Sequence, residues 1–203
     1  MLVTFEGIDG CGKSTQIELL KHFLDERGKE YQLFREPGGT ALSEQIRELL
    51  LHSTDAMDPV TELLLFSAAR SQLISEKVTP FLEQGHVIIL DRFYDSTTAY
   101  QGYGRESADP KKIIELNRIA SHGIVPDLTF YLKLDPEIAA LRTNSDVKDR
   151  MEKAGLEFFR KVSYGYDRLA EQEDRFRVID ASKSPKAIHE EIKEILLSNF
   201  DLI

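Results

Sequence analysis

Short apolar runs alternate along this chain with longer stretches in which apolar residues recur every three or four positions. The runs Leu2-Val3-Thr4-Phe5, Tyr31 to Phe34, Val87-Ile88-Ile89-Leu90, Asp127 to Leu134 and Arg175 to Asp180 predict five strands. Helical spacing predicts helices over Gln16–Arg27 (Ile17, Leu20, Phe23, Leu24) and, behind a Thr40 cap, over a segment carried by Leu42, Ile46, Leu49 and Leu50. A long helix follows from Pro59 to about Glu83, ended by Gly85; a short one carries residues 96 to 101 and closes at Gly102 and Gly104. Lys111–His122, a segment opened by Pro136, Leu156–Glu171 and Ser184–Ser198 complete the helices. Strands alternating with helices predict an α/β fold with a parallel five-stranded sheet flanked by helices on both faces. Val87 to Leu90, apolar at every position, reads as a strand covered on both sides, and Tyr31–Phe34 is expected beside the first strand.

Length and charge narrow this picture. The 203 residues fit a single domain, and no repeat, linker or low-complexity stretch divides residues 1–203. A formal net charge of −9 argues against nucleic-acid or anionic-membrane partners, because no long-range field attracts a polyanion. No apolar run has the length of a membrane span, the start runs into the first strand without a signal-peptide pattern, and the one cysteine, Cys11, can form no internal disulfide. The expectation is a soluble, cytoplasmic protein.

The strongest chemical signal is Gly7-Ile8-Asp9-Gly10-Cys11-Gly12-Lys13-Ser14-Thr15, set between the first strand and first helix. Its glycines allow successive N–H groups to turn inward, and the helix aims its positive dipole end at the same point, so a nucleoside triphosphate is the expected guest. Lys13 adds charge for the β- and γ-phosphates, and the Ser14 hydroxyl is a hard ligand for Mg²⁺.

Later segments supply further candidates. Arg35-Glu36-Pro37-Gly38-Gly39-Thr40 puts two charged residues in a turn near the phosphate loop. Leu63, Phe66, Arg70 and Leu73 form one helical stripe: either Phe66 is core and Arg70 snorkels to water, or Phe66 stacks on a flat base whose edge Arg70 reads. Asp91 and Arg92 end the third strand, where a carboxylate can hold Mg²⁺ through water and an arginine can hold a phosphate. Ser96, Thr97, Tyr100 and Gln101 offer hydroxyl and amide groups for a neutral base edge, and the polar, turn-rich stretch 142–153 reads as a small mobile LID flap with Arg142, Lys148, Arg150 and Lys153 as its cations. The Asp180-Ala181-Ser182 turn is placed to line an adenine site.

Taken in order, Phe5-Glu6-Gly7-Ile8-Asp9-Gly10 with the phosphate loop, Arg35 to Thr40, Phe66 with Arg70, Asp91-Arg92-Phe93, Tyr100-Gln101-Gly102 and Pro126-Asp127-Leu128-Thr129 make the chain resemble a bacterial thymidylate kinase along nearly its whole length. The resemblance implies a P-loop kinase fold, usually homodimeric, that transfers the γ-phosphate of ATP to dTMP with Mg²⁺. It also implies that Phe66 stacks on thymine, Arg70 and Gln101 bond its polar edge with help from Ser96 and Thr97, and Tyr100 lies against the sugar and disfavours a 2′-hydroxyl. Arg92, with Arg35 and Arg47 as weaker candidates, would hold the dTMP phosphate, and Asp9 would meet the 3′-hydroxyl or a Mg²⁺-bound water. Lys13, Asp9 and Arg92 are then catalytic, and since Gly10 stands where some members carry an arginine, the flap must bring the remaining charge, with Arg150 as first choice. Two rival readings stay open: a P-loop kinase for another nucleotide or nucleoside, and a nucleotide-binding switch without an acceptor, against which stands the absence of an Asn-Lys-x-Asp guanine-reading segment.

Overall fold

The computed structural model describes residues 1–143, 150–151 and 154–199. Its sheet is all parallel, in the order β2-β3-β1-β4-β5, with β1 at Leu2–Glu6, β2 at Tyr31–Arg35, β3 at Val87–Asp91, β4 at Leu128–Lys133 and β5 at Phe176–Asp180. One expectation is corrected here: β2 is not beside β1, because β3 lies between them. The cause is burial. Val87 to Leu90 are all buried and need neighbours on both sides, whereas β2, with Leu33 and Arg35 exposed, suits an edge. The expected proximity of Arg35 to the end of β1 survives the change, since Arg35 pairs in register with Asp91 and Phe5 with Asp91 from the other side.

Alternate residues of the strands feed two cores. Ile89, with Val3, Phe5 and Phe130, packs under α1 (Lys13–Asp25) and α9 (Pro185–Asn199), where Ile17, Leu20, Ile188 and Ile192 are buried. Ile88 and Leu90, with Leu2, face Leu73, Ile74 and Val78 on the other side. The helix expected from Pro59 to Glu83 is one rod with a wider turn in it: α3 (Pro59–Leu73), a π-helical turn over Ile74–Val78, and α4 (Thr79–Glu83). Pro80 has no N–H to give the preceding turn, and the π turn absorbs the mismatch, with the Thr79 N–H reaching back to the Ile74 carbonyl.

The remaining helices are α2 (Ala41–His52), α5 (Tyr94–Thr97), α6 (Pro110–Ala120), α7 (Pro136–Arg142) and α8 (Leu156–Gln172). Thr40 caps α2 as expected, its hydroxyl accepting from the Ser43 N–H. The short helix expected at residues 96–101 is α5 running into a π-helical segment, Thr98–Gly104, against which α8 packs closely: a Cβ at Gly104 would lie 2.5 Å from the Phe158 ring.

Candidate active site

In the loop between β1 and α1, Gly7 and Gly10 have no room for a side chain, whereas Gly12 needs its glycine for a backbone at φ 98°. Gly7 adopts φ 135°, and a Cβ there would sit 2.7 Å from the Leu132 carbonyl; at Gly10, with φ 81°, it would sit 2.7 Å from the Ala139 carbonyl of α7. Inside the loop the Lys13 ammonium donates to the carbonyls of Gly7 (3.0 Å) and Ile8 (3.2 Å). Ile8 and Cys11 are buried behind the loop, with the Cys11 Sγ 3.8 Å from the Lys13 Nζ. Asp9, Gly10, Gly12, Lys13, Ser14 and Thr15 instead line a cavity of about 490 Å³ at the carboxyl edge of the sheet.

Arg92 joins the loop to the far side of that cavity. Its backbone is left-handed, φ 70°, which turns the guanidinium back over the loop. It bonds Asp9 Oδ1 at 2.7 Å and the Gly7 carbonyl at 2.9 Å, and it reaches the Ser96 and Tyr100 hydroxyls at 3.2 Å. Burial works to raise the Asp9 pKa, but Arg92 and Lys13 outweigh it and hold the carboxyl down to about 2. Asp91 has a buried Oδ1 with no hydrogen-bond partner among the described residues, and it lines the cavity with Ser14. A carboxylate oxygen left without a donor beside a serine hydroxyl is a donor set that fits a hard divalent cation.

On the opposite wall the snorkelling account of Arg70 is overturned. The side chain is 1% exposed, and its guanidinium lies 2.6 Å from the equally buried Glu36. It also donates to Thr97 Oγ1 at 2.9 Å and Asn117 Oδ1 at 3.4 Å. Phe66, half-buried beside the Ile46 and Leu50 cluster, lines the same cavity, as do Glu36, Ser96, Thr97, Tyr100 and Gln101. Arg35 and Arg47 line it from the β2–α2 side, where Arg35 pairs with Glu44 at 3.2 Å and Arg47 donates to the Pro37 carbonyl at 2.9 Å.

The flap candidates divide. Arg142 lines the cavity and donates to the Ala181 carbonyl at 3.3 Å, which ties it to the turn after β5. Arg150 is held elsewhere: its guanidinium lies 2.5 Å from Glu62, and its Nε donates to the Leu50 carbonyl near the end of α2. Lys148 and Lys153 lie outside the described residues.

Several site residues escape sequence reasoning. Glu6, fully buried, accepts from the Phe93 N–H, the Ser96 hydroxyl and the Tyr166 hydroxyl, and so fixes the loop that carries Arg92. Glu62 is buried beside Gln101, whose amide donates to it at 2.9 Å. A signal for Glu62 was present: Glu62, Phe66 and Arg70 repeat every fourth residue and share one helix face, a stripe hidden by the neighbouring leucines. For Asn117 and Tyr166, on distant helices, we find no comparable local signal.

A glycine loop closing a parallel strand onto a helix, with a lysine within it, arginines across from it and an aromatic ring, Phe66, on the same cavity, defines a P-loop nucleotide kinase. The model of the family described as thymidylate kinase matches residues 5–192. The thymidylate kinase of Chlorobaculum parvum is 53% identical, over 97% of this chain and 95% of its own length. That of Chlorobaculum tepidum is 51% identical over 95% and 94%, and that of a Thermoanaerobacter species 40% identical over 96% of each. The chain belongs to the thymidylate kinase family.

Proposed function

We propose that this protein transfers the γ-phosphate of ATP to dTMP, giving dTDP, within one domain; of the flap expected at 142–153, residues 144–149 and 152–153 lie outside the described residues. The observation that carries the reading is one continuous cavity with the phosphate loop at one end and Phe66, Arg70 and Gln101 at the other. That arrangement suits a donor triphosphate and a flat acceptor base meeting at a phosphate between them. The acceptor is an ionised phosphate, so alignment and charge neutralisation carry the chemistry and no strong base is needed.

In this reading the loop N–H groups and Lys13 hold the donor's phosphates. Arg92 binds the acceptor phosphate, with Arg35 and Arg47 at the cavity's rim, and the Asp9 carboxylate keeps Arg92 aimed and meets the sugar's 3′-hydroxyl. Phe66 stacks on thymine, Arg70 and Gln101 bond its polar edge with help from Ser96 and Thr97, and Tyr100 lies against the sugar and disfavours a 2′-hydroxyl. Arg142 brings the flap's charge to the transferring group, while Arg150 locks the flap through Glu62. Ser14 and Asp91 would hold Mg²⁺, which when bound supplies charge neutralisation at the donor's phosphate oxygens. The Ala181 turn, already linked to Arg142, is the proposed adenine wall.

A homodimer is proposed on the exposed Leu42, Leu49, Val60, Leu64, Ile114 and Ile119 of the adjoining helices α2, α3 and α6. A cytoplasmic setting is proposed on the single free thiol, Cys11. Among the described residues no helix is long and apolar enough to cross a membrane. The test is ADP formation from ATP and Mg²⁺ with dTMP, dUMP, UMP, dCMP, AMP and thymidine offered separately. Turnover highest with dTMP, weaker with dUMP and negligible with UMP is expected; preference for another acceptor would leave the phosphate loop in place and overturn the base pocket.

A further inference from the structure

Gln101 is a cavity-lining residue with an orientation problem, because an amide can present either a donor or an acceptor to a base. Here the problem is solved from behind. The Glu62 Oε1 accepts from the Gln101 Nε2 at 2.9 Å, and Glu62 is 1% exposed, so water does not compete for it. A carboxylate is acceptor-only and can take nothing but the NH₂ end of the amide. The carbonyl end is therefore the end Gln101 turns to the cavity. Glu62 is itself pinned, with its Oε1 3.4 Å from the Arg105 Nε and its Oε2 2.5 Å from the Arg150 guanidinium. Arg70, eight residues along the same helix, is pinned in the same way by Glu36 and Thr97, so the wall offers one acceptor and one fixed donor.

From this geometry we propose that Glu62 is a positioning residue for base selection: it fixes the polarity of the Gln101 amide, so that the cavity accepts a pyrimidine ring carrying an N–H and rejects one carrying a bare ring nitrogen. Thymine and uracil present that N–H; cytosine presents a lone pair to the Gln101 carbonyl, leaving two buried acceptors facing each other. Selection between oxo- and amino-pyrimidines is thus set partly by a residue that never meets the base. The inference rests on the proposal that the acceptor is dTMP.

The test compares kcat/KM for dTMP and dCMP in the wild type, Glu62→Gln and Arg150→Gln. In Glu62→Gln the new amide can donate as well as accept, so Gln101 is free to turn over; the dTMP-to-dCMP preference is expected to fall about tenfold or more, Arg70 retaining the remainder. Arg150→Gln loosens the flap anchor but leaves the acceptor at Glu62, so the preference is expected to stay. Independently, the Gln101 side-chain NH₂ resonance, assigned by its loss in Gln101→Leu, is expected to be protected from solvent exchange in wild type and Arg150→Gln and exposed in Glu62→Gln. An unchanged preference and an unchanged resonance in folded Glu62→Gln overturn the proposal. If the wild type fails to use dTMP at all, the functional reading falls, and the resonance alone still decides whether Glu62 orients Gln101.

Discussion

Two buried carboxylates show how single residues carry the site's stability. Glu36 and Arg70 are paired away from water, and burial raises the Glu36 pKa even though Arg70 pulls it down. Removing one partner strands the other, so Arg70→Met is expected to cost about 3–5 kcal/mol at pH 8 in denaturant unfolding. The loss should shrink as pH falls, because the stranded Glu36, already raised by burial, is relieved of its charge by taking up a proton. Glu6 behaves differently because, among the described residues, it has no ion-pair partner in contact. Burial and the nearby Asp95 push its carboxyl up to about 7, against Ser96 and Arg92. The folded protein thus holds this proton more tightly than the unfolded chain, where the group titrates near 4.5. Its contribution to stability is present below that value and is lost as pH rises towards 7. Glu6→Gln is therefore expected to gain stability relative to wild type between pH 5 and 8, a difference calorimetric melting would read directly. Asp9, held near 2 in the folded state, acts in the opposite direction and only below its unfolded value of 3.8, outside that window. The sequence marked Glu36 and Arg70 as charged and near the site, but not as partners, because a pairing 34 positions apart leaves no periodic trace.

At the scale of elements, α7 decides what the phosphate loop can carry. A side chain at Gly10 would strike the Ala139 carbonyl at 2.7 Å and the Thr143 methyl at 2.8 Å. Gly10→Ala is expected to lose about 1–3 kcal/mol in thermal unfolding, and an arginine there would require α7 to shift. The loop's lack of an arginine was legible in the sequence; the packing that enforces it was not. The flap follows from the same constraint. Arg142, at the end of α7, is expected to lose at least about a hundredfold in kcat as Arg142→Ala with little change in KM for dTMP, whereas Arg150→Ala should lose far less. Single-turnover kinetics would separate the two, and the reverse ranking would return Arg150 to the transferring group. Strand and helix boundaries were readable to within a few residues from apolar periodicity. Neither π-helical turn was, since a one-residue widening barely disturbs the hydrophobic pattern.

At the scale of the whole molecule, the parallel sheet gathers the described candidate segments at one edge, which is why motifs far apart in the chain could be read as one site before their contacts were known. The strand order was the part sequence left open: the position of β2 depends on which strand most needs two neighbours, and that is a comparison among strands. The exposed leucines and isoleucines of α2, α3 and α6 belong to this scale too. Sedimentation is expected to find a dimer, and Leu64→Glu, which puts a charge on the exposed face of α3, should shift it towards monomer without lowering the melting temperature of a dilute sample by more than a few degrees. The chain's one thiol offers a different use of the same architecture. Cys11 is 1% exposed and sits under the phosphate loop, so a thiol reagent can reach it only when that loop opens. The protein therefore carries its own chemical clock: the labelling rate of Cys11 counts openings of the loop, and each ligand that seats there should slow it in proportion to how firmly it holds the loop shut.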